Sequence, residues 1–228
     1  MGINIHAFNF IKKSAINKSF NKTLTIGKQK ITADKLRINK IINDDKIYSN
    51  YLDEYLIKYF NSSSVDSLDI NNYEGANIIH DLNHPIPVNL ENKYDTIIDG
   101  GSLEHIFDIK TALKNLSKMC KPNGLIIHIL PTNNFCGHGF WQFSPNLFHT
   151  LYGNEKNFKN TEIYLAKTFN SKYWYKIERK NYENNRRIDI ITDEETFVLC
   201  STTKLNDNNE NNFQQGDYNK DFYNKKKS

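Results

Sequence analysis

The segment from Asp99 to His105 places groups capable of acid–base chemistry directly after an apolar stretch. It reads DGGSLEH, so that a carboxylate and an imidazole flank a pair of glycines. An imidazole is the usual proton acceptor near neutral pH, and a carboxylate can orient it or bind a metal. We interpret Asp99 and His105 as candidate catalytic residues. A glycine turn followed by a histidine that bonds to nearby backbone would produce the same pattern.

A second segment, GHGFWQFSP, runs from Gly137 to Pro145 and combines a histidine with aromatic residues. Aromatic rings exclude water from a ligand pocket, while a few polar groups orient the ligand. His138, Trp141 and Gln142 are therefore predicted to bind the substrate, and His138 is a further candidate general base. The alternative is a Phe/Trp cluster that packs the loop down and leaves His138 exposed.

Asp69 and Asp81 each end or follow an apolar, strand-like segment. Carboxylates at strand ends can accept hydrogen bonds from ribose hydroxyls or an adenine amino group, although aspartates also cap turns. Their occurrence in consecutive strands favours a nucleoside site. Gly27 follows the first strand and either faces a ligand or simply forms a turn. Asp69 lies 42 positions after Gly27, about twice the spacing of a dinucleotide fingerprint, which argues against a nicotinamide enzyme.

Alternating strand-like and helix-like segments predict an α/β sheet that positions these groups. Residues 1–20 are expected to form a capping element, and helices are predicted after Thr32, Ser49, Asp108 and Ser144, the last ended by Gly153. The predicted central strands are Thr23–Ile26, Val65–Asp69, Ala76–Leu82, Tyr94–Ile98 and Leu125–Leu130. C-terminal strands, expected to add an antiparallel edge, are predicted at Glu162–Phe169, Tyr173–Ile177, Ile188–Thr192 and Thr196–Ser201.

The composition sets broader limits. With 228 residues, 38% of them hydrophobic, we expect one domain over residues 1–204 and a disordered, Asn-rich tail over 205–228. The net charge of +4 forms no basic stripe, so nucleic-acid binding is not expected. No apolar stretch is long enough for membrane insertion, and three scattered cysteines fit reduced thiols in a cytoplasmic protein. His80, His84, His128 and His149 lack metal-ligand spacing, so no structural zinc is expected and no metal site is predicted.

At these residues the chain resembles class I S-adenosylmethionine-dependent methyltransferases, and more narrowly a divergent subgroup found among bacterial surface-polysaccharide biosynthetic enzymes. The resemblance covers roughly residues 22–150. It rests on five motifs in order: Gly27-Lys28-Gln29, Asp69 with Tyr73 to Ala76, His80 to Asn83, Asp99 to His105, and Gly137 to Pro145.

The resemblance implies a Rossmann-like, seven-stranded, mostly parallel sheet with helices on both faces and an antiparallel C-terminal edge strand. It implies S-adenosylmethionine as cofactor, with Asp69 at the ribose, Asp81 at the adenine and Gly27 facing the amino-acid part. The residues it implies for cofactor binding are Gly27, Gln29, Asp69, Ile70, Asp81, Leu82, Asp99 and Gly100.

The resulting prediction is a methyltransferase that O-methylates a sugar, a nucleotide-sugar or a small phosphoramidate-like capsule precursor. His138 or His105 would accept the proton, with Asp99 orienting the imidazole or coordinating. A small-molecule acceptor is the expected partner, and a homodimer is left open. The alternatives are a non-catalytic binding protein with a methyltransferase fold, suggested by the sparse glycine loop at Gly27, and a nicotinamide-dependent sugar-modifying enzyme.

Overall fold

The computed structural model describes residues 2–44, 49–153, 157–170, 172–178 and 190–207. Its helices are α1 to α5, at Ile5–Ser14, Lys35–Ile42, Leu52–Tyr59, Ile109–Met119 and Pro145–Leu151, with 3₁₀ turns at Val88–Leu90 and Leu103–His105. Its strands are β1 to β8, at Asn21–Ile26, Ser62–Asp69, Ile78–Ile79, Tyr94–Asp99, Cys120–Asn133, Phe158–Lys167, Tyr175–Lys176 and Thr196–Lys204.

The first five strands form a parallel sheet in the order β3-β2-β1-β4-β5. The chain proceeds outward from β1 to β3 and then returns to the other side of β1 for β4 and β5. The direction therefore reverses between β1 and β4, where open α/β sheets bind ligands beyond the carboxyl ends of their strands. The predicted α/β fold with a mostly parallel sheet is confirmed.

The antiparallel part of the sheet differs in detail from the prediction. β8 lies between β5 and β6, antiparallel to both, and the two-residue β7 pairs with β6. The described residues thus form eight strands; the antiparallel strand β8 is internal, and β7, antiparallel to β6, forms the edge of the sheet. Every residue of β8 is buried, as an internal strand covered on both faces requires. Of the predicted strand Ile188–Thr192, the first two residues lie outside the described residues and the other three are not in a strand.

Each face of the sheet is covered by its own hydrophobic core, as the alternation of side chains along β5 shows. Ile126 and Leu130 pack with α4 and α5 on one face. Ile127 and Ile129 pack with α1 and α3 on the other. Helices therefore cover both faces, and the predicted capping element contains α1, whose Phe8, Phe10 and Ile11 are completely buried.

Local capping explains where most helices begin. Asp108 and Ser144 accept hydrogen bonds from Thr111 N and Asn146 N, as predicted. The expected cap at Thr32 is wrong, because Thr32 N donates to Ile3 O and keeps this segment paired with the N-terminal residues. Asp34 caps α2 instead and accepts from Arg37 N. The last helix, α5, stops at Leu151, two residues before Gly153.

The C-terminal boundary and the cysteines complete the description. Leu205 N donates to Asn157 O, so the first residue of the predicted tail contacts the fold, whereas residues 208–228 lie outside the described residues. Cys120 and Cys200 are buried and Cys136 is exposed, all three as free thiols. Among the helices of the described ranges, none is long and apolar enough to cross a bilayer.

Candidate functional site

Gly27, Asp69 and Ser102 meet where β1, β2 and β4 end. Gly27 has φ of +75°, and its backbone N donates to Leu68 O. A Cβ placed on Gly27 would lie 3.0 Å from Ser102 Oγ and 3.7 Å from Asp69 Oδ2. Ser102 Oγ in turn donates to Ile26 O at 2.6 Å. The absence of a side chain at Gly27 therefore leaves room between a carboxylate and a hydroxyl.

Gln29 lies beneath this edge of the sheet. Its side chain is 3% exposed, and its amide Nε2 donates to Ile26 O. A Cβ on Gly100 would approach Gln29 Oε1 to 2.5 Å, so a side chain at this position would have to displace the Gln29 amide. Gln29 Oε1 is buried without a hydrogen-bond partner in the described part of the chain. Two predicted cofactor-binding residues, Gln29 and Gly100, are thus in contact with each other.

Asp69 and Ile70 present one polar and one apolar group at the end of β2. Asp69 is half-buried, and its Oδ1 accepts from Ile70 N at 2.7 Å. The side chain of Ile70 is 61% exposed. Asp69 O also accepts from His80 N, which ties β2 to the segment after β3.

Asp81 forms its own local turn. Its Oδ1 accepts from the backbone N and side-chain Nδ2 of Asn83, and these hydrogen bonds hold the pKa of the Asp81 carboxyl below its usual range. His84 Nδ1 lies 3.3 Å from Asp81 Oδ2. Leu82 is 4% exposed in the core, and its carbonyl accepts from Asn115 of α4. The carboxylate of Asp81 is therefore held near the surface, while the side chain of Leu82 points into the core.

Asp99 is fully buried, and its partner is an imidazole other than those expected. Asp99 Oδ2 lies 3.0 Å from His128 Nδ1, and His128 Nε2 lies 2.7 Å from Tyr152 Oη. Asp99 Oδ1 also accepts from Ser102 N and Leu103 N. The contacts therefore link Asp99 to His128, not to His105 or His138. The parallel register of β4 and β5, which pairs Asp99 with His128, creates this link and could not be read from the sequence.

His105 and His138 do meet, and they enclose the carboxylate of Glu104. The two imidazole rings are 5.1 Å apart. Glu104 Oε1 lies 3.5 Å from His138 Nε2 and 3.8 Å from His105 Nε2. Glu104 is 0% exposed, whereas His105 and His138 are 48% and 37% exposed. We call these three residues the Glu104 cluster.

The buried carboxyl of Glu104 has an unusual electrostatic environment. Burial, and secondarily the negative charge of Asp99, raise its pKa to about 8. Burial and the neighbouring His138 lower the pKa of His105. Glu104 is not among the predicted site residues, although it directly precedes His105 in the sequence LEH. Its burial depends on how the Gly137–Pro145 loop folds over it.

This loop is fixed to the Leu103–His105 turn by backbone contacts. Phe140 N and Trp141 N donate to Glu104 O at 2.7 and 3.3 Å, and Trp141 Nε1 donates to Ile106 O. Gly139 has φ of +82°, and a Cβ there would lie 2.6 Å from Glu104 O. Close contact with the turn therefore requires a glycine at this position.

The predicted substrate-binding residues of the loop have different surroundings. Gln142 Oε1 accepts from Phe135 N, so this side chain stabilises the loop itself. Trp141 is 38% exposed and lies beside the exposed rings of Phe107 and Phe140. The ring centroid of Phe107 is 6.5 Å from that of Trp141 and 5.7 Å from that of Phe140. His138 and Trp141 thus remain available to a ligand on this surface.

Comparison with known proteins identifies the fold. No family model matches the chain, and no curated protein matches it significantly. A candidate methyltransferase from Bacillus halodurans superposes with a TM-score of 0.51 at 8% identity, over 87% of this chain and 99% of that one. A candidate sarcosine dimethylglycine methyltransferase from Galdieria sulphuraria gives 0.50 at 12% identity, over 88% and 86%. The chain therefore has the Rossmann-like α/β fold of methyltransferases.

Proposed function

We propose that this chain is an S-adenosylmethionine-dependent methyltransferase that methylates a hydroxyl of a small-molecule acceptor. The observation that supports this most is the position of Gly27 beside Asp69 and Ser102, at the switch point of a methyltransferase fold. This is where an α/β sheet binds a nucleotide-like ligand.

The residues at this edge suit S-adenosylmethionine. Asp69 Oδ1 is already bonded to Ile70 N, while Oδ2 faces the space above Gly27 and can accept from a ribose hydroxyl. The exposed side chain of Ile70 can cover an apolar ring. Asp81 is the proposed adenine contact, while Gln29, Leu82, Asp99 and Gly100 shape the site from beneath. When bound, the cofactor supplies an electrophilic methyl group.

The Glu104 cluster is the proposed location of the acceptor. Glu104 lies two residues after Ser102, which contacts the Gly27 edge, so the cluster adjoins the cofactor site along the chain. We assign to His105 and His138 the handling of the acceptor hydroxyl and its proton. Holding acceptor and methyl in line can contribute up to roughly 7–11 kcal/mol. The exposed rings of Phe107, Phe140 and Trp141 favour an acceptor with a ring face, such as a sugar or nucleotide-sugar.

Calorimetric titration with S-adenosylhomocysteine tests the cofactor assignment. We expect the wild type to bind and Asp69→Asn to bind at least about tenfold more weakly, since a hydrogen bond to a charged group contributes roughly 1.5–3 kcal/mol. The matched control is Asp95→Asn, at the opposite end of β4, where Asp95 pairs with Lys121. An absence of heat at millimolar ligand would instead support the non-catalytic binding protein.

An acceptor screen with isotopically labelled cofactor tests the assignment of His105 and His138 to the acceptor hydroxyl and its proton. Once an acceptor is found, His138→Ala and His105→Ala are each expected to reduce turnover by about 10²-fold or more, the usual contribution of a positioned proton acceptor. Full turnover by both variants would disprove the assignment of these imidazoles.

A further inference from the structure

Three buried polar atoms without partners converge in the Glu104 cluster. Glu104 Oε1, Glu104 Oε2 and His138 Nε2 are each buried and make no hydrogen bond within the described residues. A buried polar group left unpaired costs roughly 1–3 kcal/mol. Native structures contain few such groups, and a concentration of them at one point indicates a site that a ligand completes.

The geometry suits a cation. One nitrogen from each imidazole and one oxygen of Glu104 all lie within 4.8 Å of one another, and the separations from Glu104 Oε1 are 3.5 and 3.8 Å. Metal–ligand bonds of roughly 2.0–2.2 Å place two tetrahedral ligands roughly 3.4 Å apart. The two contacts of Glu104 Oε1 thus come close to coordination distances, and small rotations of the half-exposed imidazoles would complete them.

The donor set identifies the class of cation. Two imidazoles and one carboxylate are a set that zinc and iron(II) sites use, with positions left open for water or substrate. Magnesium and calcium prefer oxygen ligands alone. We propose that Glu104, His105 and His138 bind one divalent transition-metal cation. No local spacing in the sequence reveals this site, because His138 lies more than 30 positions after Glu104 and His105.

The cation would also deepen the proposed function, and this step rests on it. A cation held by three side chains keeps coordination positions for water or an acceptor. It would bind the acceptor through an oxygen and acidify the acceptor hydroxyl. The hydroxyl would then release its proton to water, because the imidazole nitrogens that hold the cation cannot accept it, and His105 and His138 would act on the hydroxyl through the cation. The acceptor would then be a hydroxyl compound that can coordinate a cation.

Cobalt(II) titration of the full chain, stripped of metal with EDTA and then freed of EDTA, tests the site. The visible absorption of cobalt(II) reports its ligand field and gives the affinity for cobalt(II). Displacement of cobalt(II) by zinc then gives the affinity for zinc. We expect one equivalent to bind with Kd of about 10 µM or less. Removal of an outer-sphere residue already costs about 10–100-fold in metal affinity, so Glu104→Gln and His138→Asn should each lose at least about tenfold.

The matched control is His84→Asn, which removes an exposed imidazole beside a carboxylate, Asp81, that already has hydrogen-bond partners. It should bind cobalt(II) as the wild type does. Circular dichroism checks that each variant folds, and His138→Asn, on a surface loop, gives the answer if Glu104→Gln unfolds. Wild-type protein that binds no cation below about 1 mM, or equal binding by both ligand variants, overturns the proposal.

S-adenosylhomocysteine titration of the metal-free chain separates this proposal from the proposed function. Nucleoside binding without cobalt binding rejects the cation site and leaves the methyltransferase assignment intact. Cobalt binding without nucleoside binding supports the cation site and rejects the methyltransferase assignment.

Discussion

The imidazole of His128 connects two residues that the sequence places far apart, Asp99 at the end of β4 and Tyr152 after α5. Both ring nitrogens have partners, and all three side chains are buried. The tautomer follows from the network: Tyr152 Oη donates to Nε2, and Nδ1–H donates to the carboxylate. A fully satisfied buried network of this kind stabilises one arrangement of the core.

Replacement of Tyr152 by phenylalanine is expected to lower the free energy of unfolding by about 1–3 kcal/mol, because it leaves His128 Nε2 buried without a donor. Urea unfolding followed by circular dichroism measures the change. The control is Tyr73→Phe, since Tyr73 is 91% exposed and should change stability by no more than about 0.5 kcal/mol. Equal effects of the two substitutions would show that the hydroxyl of Tyr152 adds no stability.

For individual residues, whether a contact could be predicted depended on how far apart its two partners lie in the sequence. The caps at Asp108 and Ser144 bond within three residues and were predicted correctly. The pairing of Asp99 with His128 depends on strand register, and the burial of Glu104 depends on a loop more than 30 positions later. Neither leaves a local pattern, so Asp99 was assigned to the wrong imidazoles as partners and Glu104 was overlooked.

Among the elements, the loop from Gly137 to Pro145 determines the shape of the candidate acceptor site. It lies against the Leu103–His105 turn, and backbone donors from Phe140 and Trp141 share the carbonyl of Glu104. Two glycines flank His138, but only Gly139 has a left-handed conformation and a close backbone neighbour. The two glycines therefore have different roles, although the sequence motif makes them look equivalent.

Gly139→Ala is expected to destabilise the protein by about 1–3 kcal/mol, because the left-handed backbone strains any side chain and the new Cβ meets Glu104 O. Gly137→Ala is the matched control: a Cβ there has nothing within 4 Å, so the change should be small. Denaturant unfolding of both variants measures the difference. A Gly137→Ala effect as large as that of Gly139→Ala would mean that the contact with Glu104 O is not the cause.

In the whole molecule, α1 joins the beginning of the chain to its C-terminal strands. His6 is 1% exposed; Trp174 Nε1 donates to its Nδ1 at 3.1 Å, and its Nε2 lies 3.3 Å from Thr168 O. Phe10 also packs against the rings of Tyr164 and Trp174. The N-terminal capping element predicted over residues 1–20 was therefore correct in location. Its contacts with residues about 160 positions later could not be predicted from its local sequence pattern.

The contribution of His6 to stability is expected to be lost as pH decreases below about 6.5, whereas Glu104, whose raised pKa is about 8, contributes in the opposite direction. Burial lowers the pKa of His6, outweighing the opposing hydrogen bond to Thr168 O; Arg37 lowers it further and Glu194 raises it. A depressed pKa means that the unfolded chain binds the proton first, so stability is complete above the unfolded pKa and is lost below it. Protonation would also place an N–H opposite the indole N–H of Trp174.

Thermal unfolding between pH 7.5 and 5.5 measures this loss. The Tm of His6→Gln should rise relative to that of the wild type as pH falls over this range, whereas His84→Gln, which removes an exposed imidazole, should retain the wild-type slope. An unchanged slope in His6→Gln would exclude His6 as the group that titrates.

The internal position of β8 has a consequence for synthesis on the ribosome. β6 and β7 leave the ribosome before β8, yet within the described residues β8 is the strand that joins β6 to the rest of the sheet, and β8 is buried along its whole length. The nascent chain therefore holds the paired strands β6 and β7 apart from the parallel sheet, with β5 as an open edge, until residues 196–204 emerge. Strand edges exposed in this way are prone to aggregation, so the yield of soluble protein should depend on how fast residues 168–204 are translated.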